Sequence, residues 1–305
     1  MRVAARRSVK VIIGVILLAN IPFWIPPARL FALYTAGRTS RCPLAKAVHS
    51  FDTVARRLAI EKQLDRVKKL VTDDPAGYHL WDTPMGRYWV PKRNDGVLTD
   101  NLSEQATQVY GGREYGVQPG DVVLDCGANI GVYTRVALAA GAKLVVAIEP
   151  APENVECLRR NYATEIGQGR VIVVPKGVWD RDDVLTLRED AGNSARDSFV
   201  GSFGPALRET RVPLTTIDRL VAELHLDSVG FVKLDIEGAE KRALAGAEHT
   251  LQKYHPRMAI AMEHLPDDPV AIPRVILALA PSYRVTCGDC VDEMTSVRPD
   301  VLFFR

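Results

Sequence analysis

The sequence has few cysteines, almost no net charge and no visible internal repeat. Only 5 of its 305 residues are cysteines, which excludes a small fold stapled by disulfides. The 39 lysines and arginines nearly balance the 37 aspartates and glutamates, so the charge of the whole chain favours no particular partner. A hydrophobic share of 47% and a charged share of 25% exclude collagen, a wholly disordered chain and a polytopic membrane protein. The length predicts two domains, or one large α/β domain with an appendage.

The near-zero total hides an asymmetry between the two ends of the chain. Residues 1–72 carry 14 basic and 3 acidic side chains, whereas the rest of the chain has a net charge of −9. A basic N-terminus of this kind predicts contact with an anionic surface. We favour a membrane surface, because no zinc finger, helix-turn-helix pattern or aromatic-interleaved basic strand indicates a nucleic-acid partner.

An apolar run at residues 11–25 follows a basic N-terminus and is interrupted only by Asn20 and Pro22. The run is shorter than the roughly 20 residues that a helix needs to cross a bilayer, and Pro26 and Pro27 follow it directly. We therefore predict a membrane anchor or signal-like segment over residues 1–28; a cleaved signal and a buried helix remain alternatives. Basic residues on both sides favour an interfacial or re-entrant anchor with both flanks in the cytosol.

Residues 44–71 contain no glycine or proline and predict a basic amphipathic helix. Two interpretations stay open: the helix lies on anionic lipid beside the anchor, or it is a solvated helix packed on the main domain. The predicted membrane surface thus spans residues 1–72. We assign residues 29–75 to a basic helical linker, residues 76–118 to a hairpin and helical extension, and residues 119–305 to the main domain. The hairpin is expected to pair residues 78–81 with residues 87–90.

Short apolar stretches alternate with helical ones from residue 121 onward. Strands are expected at residues 122–124, 144–148, 171–174, 231–234 and 258–262, and helices at residues 132–140, 153–162, 217–224, 240–254 and 272–279. Other expected features are a strand arm at 184–187, an irregular polar stretch at 190–211, and strands near 283–286 and 301–304. Because fully apolar strands separated by helices imply a parallel sheet covered on both faces, the sequence predicts a doubly wound α/β domain.

A glycine-rich turn after the first of these strands predicts a nucleoside-containing ligand. Asp125 ends the strand, and Gly127 and Gly131 follow in the turn that begins a helix. We expect Gly127 to let a ligand approach the backbone and Gly131 to let the helix pack closely. Glu149 ends the next strand, 24 positions after Asp125, where a carboxylate can accept hydrogen bonds from ribose hydroxyls.

The composition of this turn distinguishes between two classes of ligand. In the dinucleotide pattern G-x-G-x-x-G that would end at Gly131, Cys126 and Ala128 occupy the positions of the first two glycines. A pyrophosphate needs those bare backbone positions, whereas the Asp125 carboxylate suits a cationic ligand. S-adenosylmethionine, with an ammonium group and a positive sulfur, fits better than a nicotinamide dinucleotide.

The sequence resembles the class I S-adenosylmethionine-dependent methyltransferases, and more narrowly the FkbM-type family. The resemblance rests on residues 124–131 (LDCGANIG), 147–150 (AIEP), 215–218 (TTID) and 232–240 (VKLDIEGAE), and it covers about residues 105–305. It implies a Rossmann-like, seven-stranded, mostly parallel sheet whose last strand is antiparallel. It also implies that the methionine part of the cofactor lies against Asp125, Gly127, Asn129 and Gly131, the ribose against Glu149, and the adenine near residues 177–179, which include Val178.

Candidate catalytic residues follow two neighbouring strands of the predicted sheet. Asp235, Glu237 and Glu240 come after the fourth strand, and Glu263 and His264 after the fifth; both strand ends open on the cofactor crevice of such a sheet. We predict that Asp235 orients the acceptor or, with Glu263, a divalent cation, and that His264 is the general base. For Glu240 we prefer a structural role at a helix N-terminus.

The cysteines give a weaker signal. Cys287 and Cys290 have C-x-x-C spacing, which is half of a structural zinc site at most, because no second cysteine pair or histidine pair accompanies it. Cys42, Cys126 and Cys157 are expected to be unpaired thiols, which is compatible with a reducing compartment.

The sequence therefore predicts an S-adenosylmethionine-dependent methyltransferase that methylates a hydroxyl of a saccharide, glycolipid or secondary metabolite. N-methylation, an NAD(P)-dependent oxidoreductase and a non-catalytic, cofactor-binding membrane adaptor stay open as alternatives. Because S-adenosylmethionine is a cytosolic metabolite, we expect a membrane-associated protein whose catalytic domain faces the cytosol.

Overall fold

A computed structural model describes residues 25–190, 199 and 206–305 of the chain. Its N-terminal part consists of helices α1 (Pro26–Thr35), α2 (Leu44–Ala47) and α3 (Ser50–Val67), an antiparallel sheet of β1 (Lys69–Asp74), β2 (Tyr78–Thr83) and β3 (Gly86–Pro91), and helix α4 (Asp95–Ala106). Helix α1 begins at two prolines, a position where the missing N–H of proline has no helical partner to lose.

The expected helix over residues 44–71 begins at Leu44 as predicted, but it is interrupted after Ala47 and ends at Val67. The chain leaves the helix between α2 and α3, and Lys69–Asp74 forms strand β1, in which Lys69 pairs with Asp82 of β2. The proposed boundary at residue 75 therefore falls inside a sheet, because strand pairing with residues further along the chain decides this segment. Leu64 of α3 packs with Tyr88 in a buried cluster. Helix α3 therefore packs on the rest of the protein, which agrees with the second of the two interpretations of this segment. The hairpin expected over residues 78–90 is confirmed.

The main domain contains the remaining elements. In chain order they are β4 (Val122–Cys126), α5 (Val132–Ala139), β5 (Leu144–Ile148), α6 (Pro152–Asn161), α7 (Ala163–Gly167), β6 (Val171–Val174), β7 (Gly177–Val178), β8 (Asp183–Asp190), β9 (Ala206–Thr215), α8 (Ile217–Glu223), β10 (Phe231–Leu234), α9 (Glu240–Ala245), α10 (Glu248–Tyr254), β11 (Arg257–Ala261), α11 (Asp268–Leu279), β12 (Val285–Cys287), β13 (Cys290–Asp292), β14 (Val297–Pro299) and β15 (Val301–Phe304).

Seven of these strands form the central sheet, in the order β12-β15-β11-β10-β4-β5-β6. The strands from β11 to β6 pair in parallel, whereas β15, the last strand of the chain, is antiparallel to both β11 and β12. Strands β4 and β10 are buried along their whole length, as expected for strands covered by helices on both faces. The prediction of a doubly wound, mostly parallel α/β sheet is confirmed.

Two other expectations differ from the structure. Residues 206–215 form strand β9, which pairs with β8, instead of an irregular stretch; residues 191–198 and 200–205 lie outside the described residues. The helix expected over residues 240–254 divides into α9 and α10 at Gly246, where a Cβ would lie 2.2 Å from the carbonyl oxygen of Trp179. Glycine is required at this position because the backbone passes close to the Trp179 carbonyl.

Cys42 and Cys290 form a disulfide across a sequence separation of 248 residues. The expectation that Cys42 is an unpaired thiol is therefore wrong, and the distance along the chain explains why no local pattern indicated the pair. Cys126 and Cys157 are free and buried, as expected. Arg29 of α1 also pairs with Asp292 at 2.5 Å, so the N-terminal helices are fastened to β13 by a covalent and an ionic link.

No helix among the described residues is long and apolar enough to cross a membrane. Residues 1–24 of the anchor predicted over residues 1–28 lie outside the described part of the chain.

Candidate active site

A cavity of about 510 Å³ opens at the carboxyl ends of β4, β5, β10 and β11. One end is lined by residues of the loops after β4 and β5 and by β7, among them Gly127, Asn129, Glu149 and Val178. The other end is lined by Arg57, Glu104, Tyr110, Glu263 and His264, with Asp235 and Glu237 also on the wall. The edge of a parallel sheet where strand ends meet is the usual ligand site of such folds.

The two glycines of the turn after β4 are required by protein packing. Gly127 has a φ of +77°, and a Cβ there would lie 1.8 Å from the carbonyl oxygen of Asp235. Glycine is therefore required at position 127 because the backbone after β10 passes so close. The sequence had instead suggested that Gly127 makes room for a ligand. At Gly131 a Cβ would lie 2.3 Å from the ring of Tyr162, so this glycine allows close packing as expected, but Gly131 does not line the cavity.

Glu149 fixes the shape of this turn from the end of β5. Its carboxylate accepts hydrogen bonds from the backbone N–H groups of Asn129 and Ala151, both at 2.9 Å. Burial raises the pKa of Glu149, although these N–H groups oppose the shift. Asn154 Nδ2 donates a third hydrogen bond, to Glu149 Oε1 at 3.4 Å. A carboxylate offers about four acceptor positions, so these three protein donors still leave capacity for a ligand hydroxyl.

A buried lysine joins the turn to the end of β10. Lys233 Nζ donates a hydrogen bond to the Gly127 carbonyl oxygen at 2.7 Å and lies 3.6 Å from Asp125 Oδ1 and 3.4 Å from Asp235 Oδ2. Burial alone would lower the pKa of Lys233, but the two aspartates raise it, so the ammonium is charged. Sequence reasoning quoted Lys233 within a motif but assigned it no role.

Asp125 lies beneath the cavity and is not on its wall. The side chain is fully buried and accepts a hydrogen bond from Thr134 Oγ1 at 2.7 Å. Burial raises the pKa of Asp125, although Lys233 and Thr134 oppose this shift. The contact of Asp125 with the cofactor stays a prediction; its observed partners are groups of the protein.

Asp235 is held as a carboxylate at the centre of the cavity wall. The Tyr110 hydroxyl donates to Asp235 Oδ2 at 2.7 Å. Burial would raise the pKa of Asp235, but Lys233 and His264 outweigh it, and the pKa lies below its ordinary value. Tyr110 keeps its proton, because burial and the neighbouring Asp235 raise its pKa well above the usual range. Sequence reasoning missed Tyr110, which belongs to no motif.

His264 is surrounded by carboxylates. Its ring nitrogens lie 2.9 Å from Glu240 Oε1, 3.5 Å from Glu237 Oε1 and 3.5 Å from Asp235 Oδ1. Burial would lower the pKa of His264, yet Glu237 and Glu240 raise it well above 6.5, which favours the imidazolium at neutral pH. The predicted role as general base stays untested, and a histidine that already holds its proton is poorly suited to it.

Glu240 has the structural role expected for it. It is the first residue of α9, is fully buried, and accepts a hydrogen bond from the backbone N–H of Ile236 at 2.9 Å. Its carboxylate therefore holds both the turn after β10 and the imidazole of His264.

Glu263 has the pKa best matched to proton transfer at neutral pH. Partial desolvation by the surrounding cavity wall and the charge of Asp300 raise its pKa to about 7, although His264 opposes the shift. The side chain faces the cavity, where 40% of its surface stays accessible to solvent. Across the cavity, burial and the charges of Glu263 and Asp235 raise the pKa of Glu104 well above its usual range.

The residues at this end also offer a candidate set of metal ligands. One ligand atom each of Asp235, Glu263 and His264 lies within 4.8 Å of the others. Carboxylates and an imidazole suit a divalent cation. However, the Lys233 ammonium lies 3.4 Å from Asp235 Oδ2, and the protonated form of His264 is favoured, so positive charge already occupies these donors. The donor set does not fit a divalent cation in this arrangement, and we derive no step through one.

Comparison with known proteins shows to which family the chain belongs. Residues 125–284 match the family model of the methyltransferase FkbM domain. The chain belongs to the FkbM methyltransferase family. The family suggested by the motifs at residues 124–131, 147–150 and 232–240 is thereby confirmed.

Two curated FkbM relatives are similar to this chain. The 31-O-demethyl-FK506 methyltransferase FkbM of Streptomyces tacrolimicus is 29% identical over 159 residues, which are 43% of this chain and 61% of the relative. The 2-O-methyltransferase NoeI of Sinorhizobium fredii (strain NBRC 101917 / NGR234) is 28% identical over 154 residues, 45% of this chain and 61% of the relative. The chain thus spans about three fifths of the length of these relatives. The crystal structure of methyltransferase FkbM from Methylobacillus flagellatus KT aligns with 90% of this chain and 65% of its own, at 19% identity and a TM-score of 0.44.

The FkbM match does not include the whole cavity wall. The matched residues 125–284 include the four candidate catalytic residues, which all line the cavity: Asp235, Glu237, Glu263 and His264. Arg57, Glu104 and Tyr110 precede the match in the chain, so the extension before the family domain supplies part of the site. Sequence reasoning missed these three residues because they lie far along the chain from the motifs.

Proposed function

We propose that the protein transfers a methyl group from S-adenosylmethionine to a hydroxyl of a saccharide, glycolipid or secondary metabolite. The observation that carries the proposal is the single cavity that joins the Glu149-supported turn at one end to Asp235, Glu263 and His264 at the other. Family membership supports the reaction class, since one curated relative is a 2-O-methyltransferase and the other a 31-O-demethyl-FK506 methyltransferase.

The cofactor end suits S-adenosylmethionine better than a dinucleotide. Glu149 accepts the ribose hydroxyls, and Gly127, Asn129 and Val178 line the adjoining wall. Carboxylates of Glu149 and Asp235 complement a sulfonium and an ammonium group and would repel a pyrophosphate.

At the acceptor end, Asp235 orients the reacting hydroxyl and Glu263 accepts its proton. S-adenosylmethionine, when bound, supplies a methyl group whose bond to sulfur breaks as its bond to the acceptor oxygen forms. Glu263 has a pKa of about 7, close to the optimum for a general base at neutral pH. His264 and Lys233 stay positively charged and stabilise the carboxylates around the reacting oxygen. Holding the two reactants in line can lower the barrier by about 7–11 kcal/mol.

Two variants, Glu263→Gln and His264→Asn, test the identity of the general base. For each variant and for the wild type, kcat is measured across a range of pH with a labelled methyl donor. We expect Glu263→Gln to lower kcat about 100-fold or more and to remove the acidic limb near pH 7. If His264→Asn alone removes that limb, the assignment of the base reverses.

Isothermal titration distinguishes the classes of function. We expect S-adenosylmethionine to bind and NADH not to bind. Binding of NADH alone would contradict the methyltransferase proposal, and cofactor binding without transfer to any acceptor would favour the adaptor.

The same proposal places the enzyme on a membrane surface, with the catalytic domain facing the cytosol. Helix α1 follows the apolar run of the sequence directly and leaves Phe31 71% and Tyr34 54% exposed. Basic residues follow it, which favours anionic lipid. We expect the full chain to sediment with anionic vesicles and not with neutral ones. Protection of residues 73–305 from protease in sealed vesicles with their cytosolic face outward would contradict the orientation.

The oxidation state of Cys42 and Cys290 also tests the proposed cytosolic location. Disulfides persist in oxidising compartments, whereas cytosolic thiols are kept reduced. If the catalytic domain faces the cytosol, we expect Cys42 and Cys290 to be alkylated as free thiols when cells are lysed in a trapping reagent. Recovery of the intact disulfide would contradict the proposed location.

A further inference from the structure

Two helices that precede the family domain form one wall of the cavity. Helix α3 contributes Arg57. Helix α4 contributes Asp100, Asn101, Glu104 and Gln105, whose spacing places them on one face of the helix. This wall lies at the end of the cavity that holds Glu263 and His264, where the acceptor binds if the proposed function holds.

Arg57 is fixed in this wall by two carboxylates. Its guanidinium pairs with Asp300, and Nη1 lies 3.8 Å from Glu104 Oε1. The side chain is 17% exposed. Burial would lower the pKa of Arg57, but Asp300 and Glu104 raise it, so the charge is permanent. A planar guanidinium held on two sides presents its remaining N–H groups in a fixed direction.

Two amide side chains on the same wall have no hydrogen-bond partner among the described residues. Asn101 and Gln105 line the cavity, and their side-chain amides make no hydrogen bond to any residue that the structure describes. Gln105 is 8% exposed and lines the cavity. Because no described protein group occupies them, the donors and acceptors of both amides are available to a ligand in the cavity.

The chemistry of this wall selects an acceptor class. An amide both donates and accepts hydrogen bonds, as a sugar hydroxyl does. An apolar ring would leave the amides and the Arg57–Glu104 pair desolvated without partners. An anionic acceptor would be repelled by Asp235, which lines the same cavity and whose lowered pKa keeps it a carboxylate.

We propose, on the basis of the proposed methyl transfer, that Asn101, Gln105 and the Arg57–Glu104 pair form a specificity site for an uncharged, polyhydroxylated ring, a sugar unit of the acceptor. The site binds hydroxyls on one side of the ring and presents another to Asp235. It selects saccharides among the acceptor classes, and its residues come from helices outside the match to the family domain.

Saturation-transfer NMR and labelled methyl transfer test the site. The probes are methyl glycosides of neutral hexoses and 6-deoxyhexoses, compared with cyclohexanol and long-chain alcohols. We expect glycosides to bind and to be methylated, and the apolar alcohols to do neither. Methylation of the apolar alcohols without glycoside binding would overturn the acceptor class while leaving the reaction intact. Absence of binding by every glycoside would also overturn it.

Variants separate a specificity role from a structural one. Gln105→Leu keeps the size of the side chain and removes both hydrogen-bonding groups; Arg57→Gln removes the charge. The matched control is Arg56→Gln, because Arg56 is adjacent, exposed and outside the cavity. We expect Gln105→Leu and Arg57→Gln to raise the KM for the glycoside about tenfold, with kcat changed much less and S-adenosylmethionine affinity unchanged. Arg56→Gln should behave as the wild type.

Gln105→Leu remains decisive even if Arg57→Gln fails to fold, since it removes no hydrogen bond to any described residue. An unchanged KM in Gln105→Leu would overturn the proposed site. Failure of the wild-type protein to bind S-adenosylmethionine in the titration would instead refute the underlying function, so the two failures are distinguishable.

Discussion

Replacing Lys233 with methionine should destabilise the fold more than other lysine substitutions. Methionine keeps the length and the apolar stem of the side chain, so the change acts mainly on charge. The Lys233 ammonium touches the Gly127 carbonyl oxygen at 2.7 Å and has two aspartates within 3.6 Å. Removing one partner of a buried ionic cluster costs about 3–5 kcal/mol, because the remaining charge is left without compensation. Asp125, fully buried, is that charge.

The loss of stability in Lys233→Met should be larger at neutral pH than at acidic pH. In the wild type, the lowered pKa of Asp235 gives stability that is present above its unfolded pKa and lost as the pH falls. Without the lysine, the pKa values of Asp125 and Asp235 rise. The variant should therefore lose more stability at pH 7 than at about pH 5.

Urea unfolding followed by circular dichroism measures this difference. The control is Lys143→Met, an exposed lysine, which should change the free energy of unfolding by no more than about 0.5 kcal/mol. The reasoning is refuted if Lys233→Met unfolds within about 1 kcal/mol of the wild type at pH 7, well below the expected loss.

Three further substitutions test the turn, the disulfide and the histidine. Gly127→Ala should cost about 3 kcal/mol or more in thermal unfolding, because its Cβ would lie 1.8 Å from the Asp235 carbonyl oxygen, whereas Gly167→Ala, with nothing within 4 Å, should change stability by at most about 1 kcal/mol. Cys42→Ser should lower the free energy of unfolding by about 2–4 kcal/mol in oxidising buffer and by much less with excess dithiothreitol; equal losses in both buffers would contradict a role of the disulfide. Because the folded pKa of His264 is raised, its contribution should be complete below about pH 6.5 and be lost as the pH rises through the folded value. His264→Asn should flatten this decline, and parallel pH profiles for variant and wild type would refute the raised pKa.

The sequence predicted the central sheet better than its surroundings. Four strands, at residues 144–148, 171–174, 231–234 and 301–304, have the predicted bounds, because short apolar runs between polar or glycine residues are a local signal. Strands β1 and β9 were missed, because their polar residues follow no apolar pattern and pairing with distant segments decides their structure.

The residues of the candidate active site also divide into those that a local sequence pattern located and those that it did not. Gly127, Glu149, Asp235 and His264 could be located because they follow strands whose ends meet at one edge of a parallel sheet. Arg57 could not, because its position depends on how α3 packs on the rest of the protein, and nothing in the surrounding sequence distinguishes it from Arg56.

The packing of the first helices against the end of the chain also imposes an order on assembly during translation. Leu30, Leu33 and Ala47 are buried in a cluster with Cys290 and Val297, which lie near the other end of the chain. With 248 residues between the two cysteines, a ribosome that adds about 5–20 residues per second needs roughly 10–50 s to reach the second one. For that time α1 and α2 lack the residues that cover them in the folded protein. Helix α3 differs, because Leu64 packs with Tyr88, Leu98 and Leu102, which precede the turn after β4, so the wall formed by α3 and α4 can assemble before the cofactor end is complete.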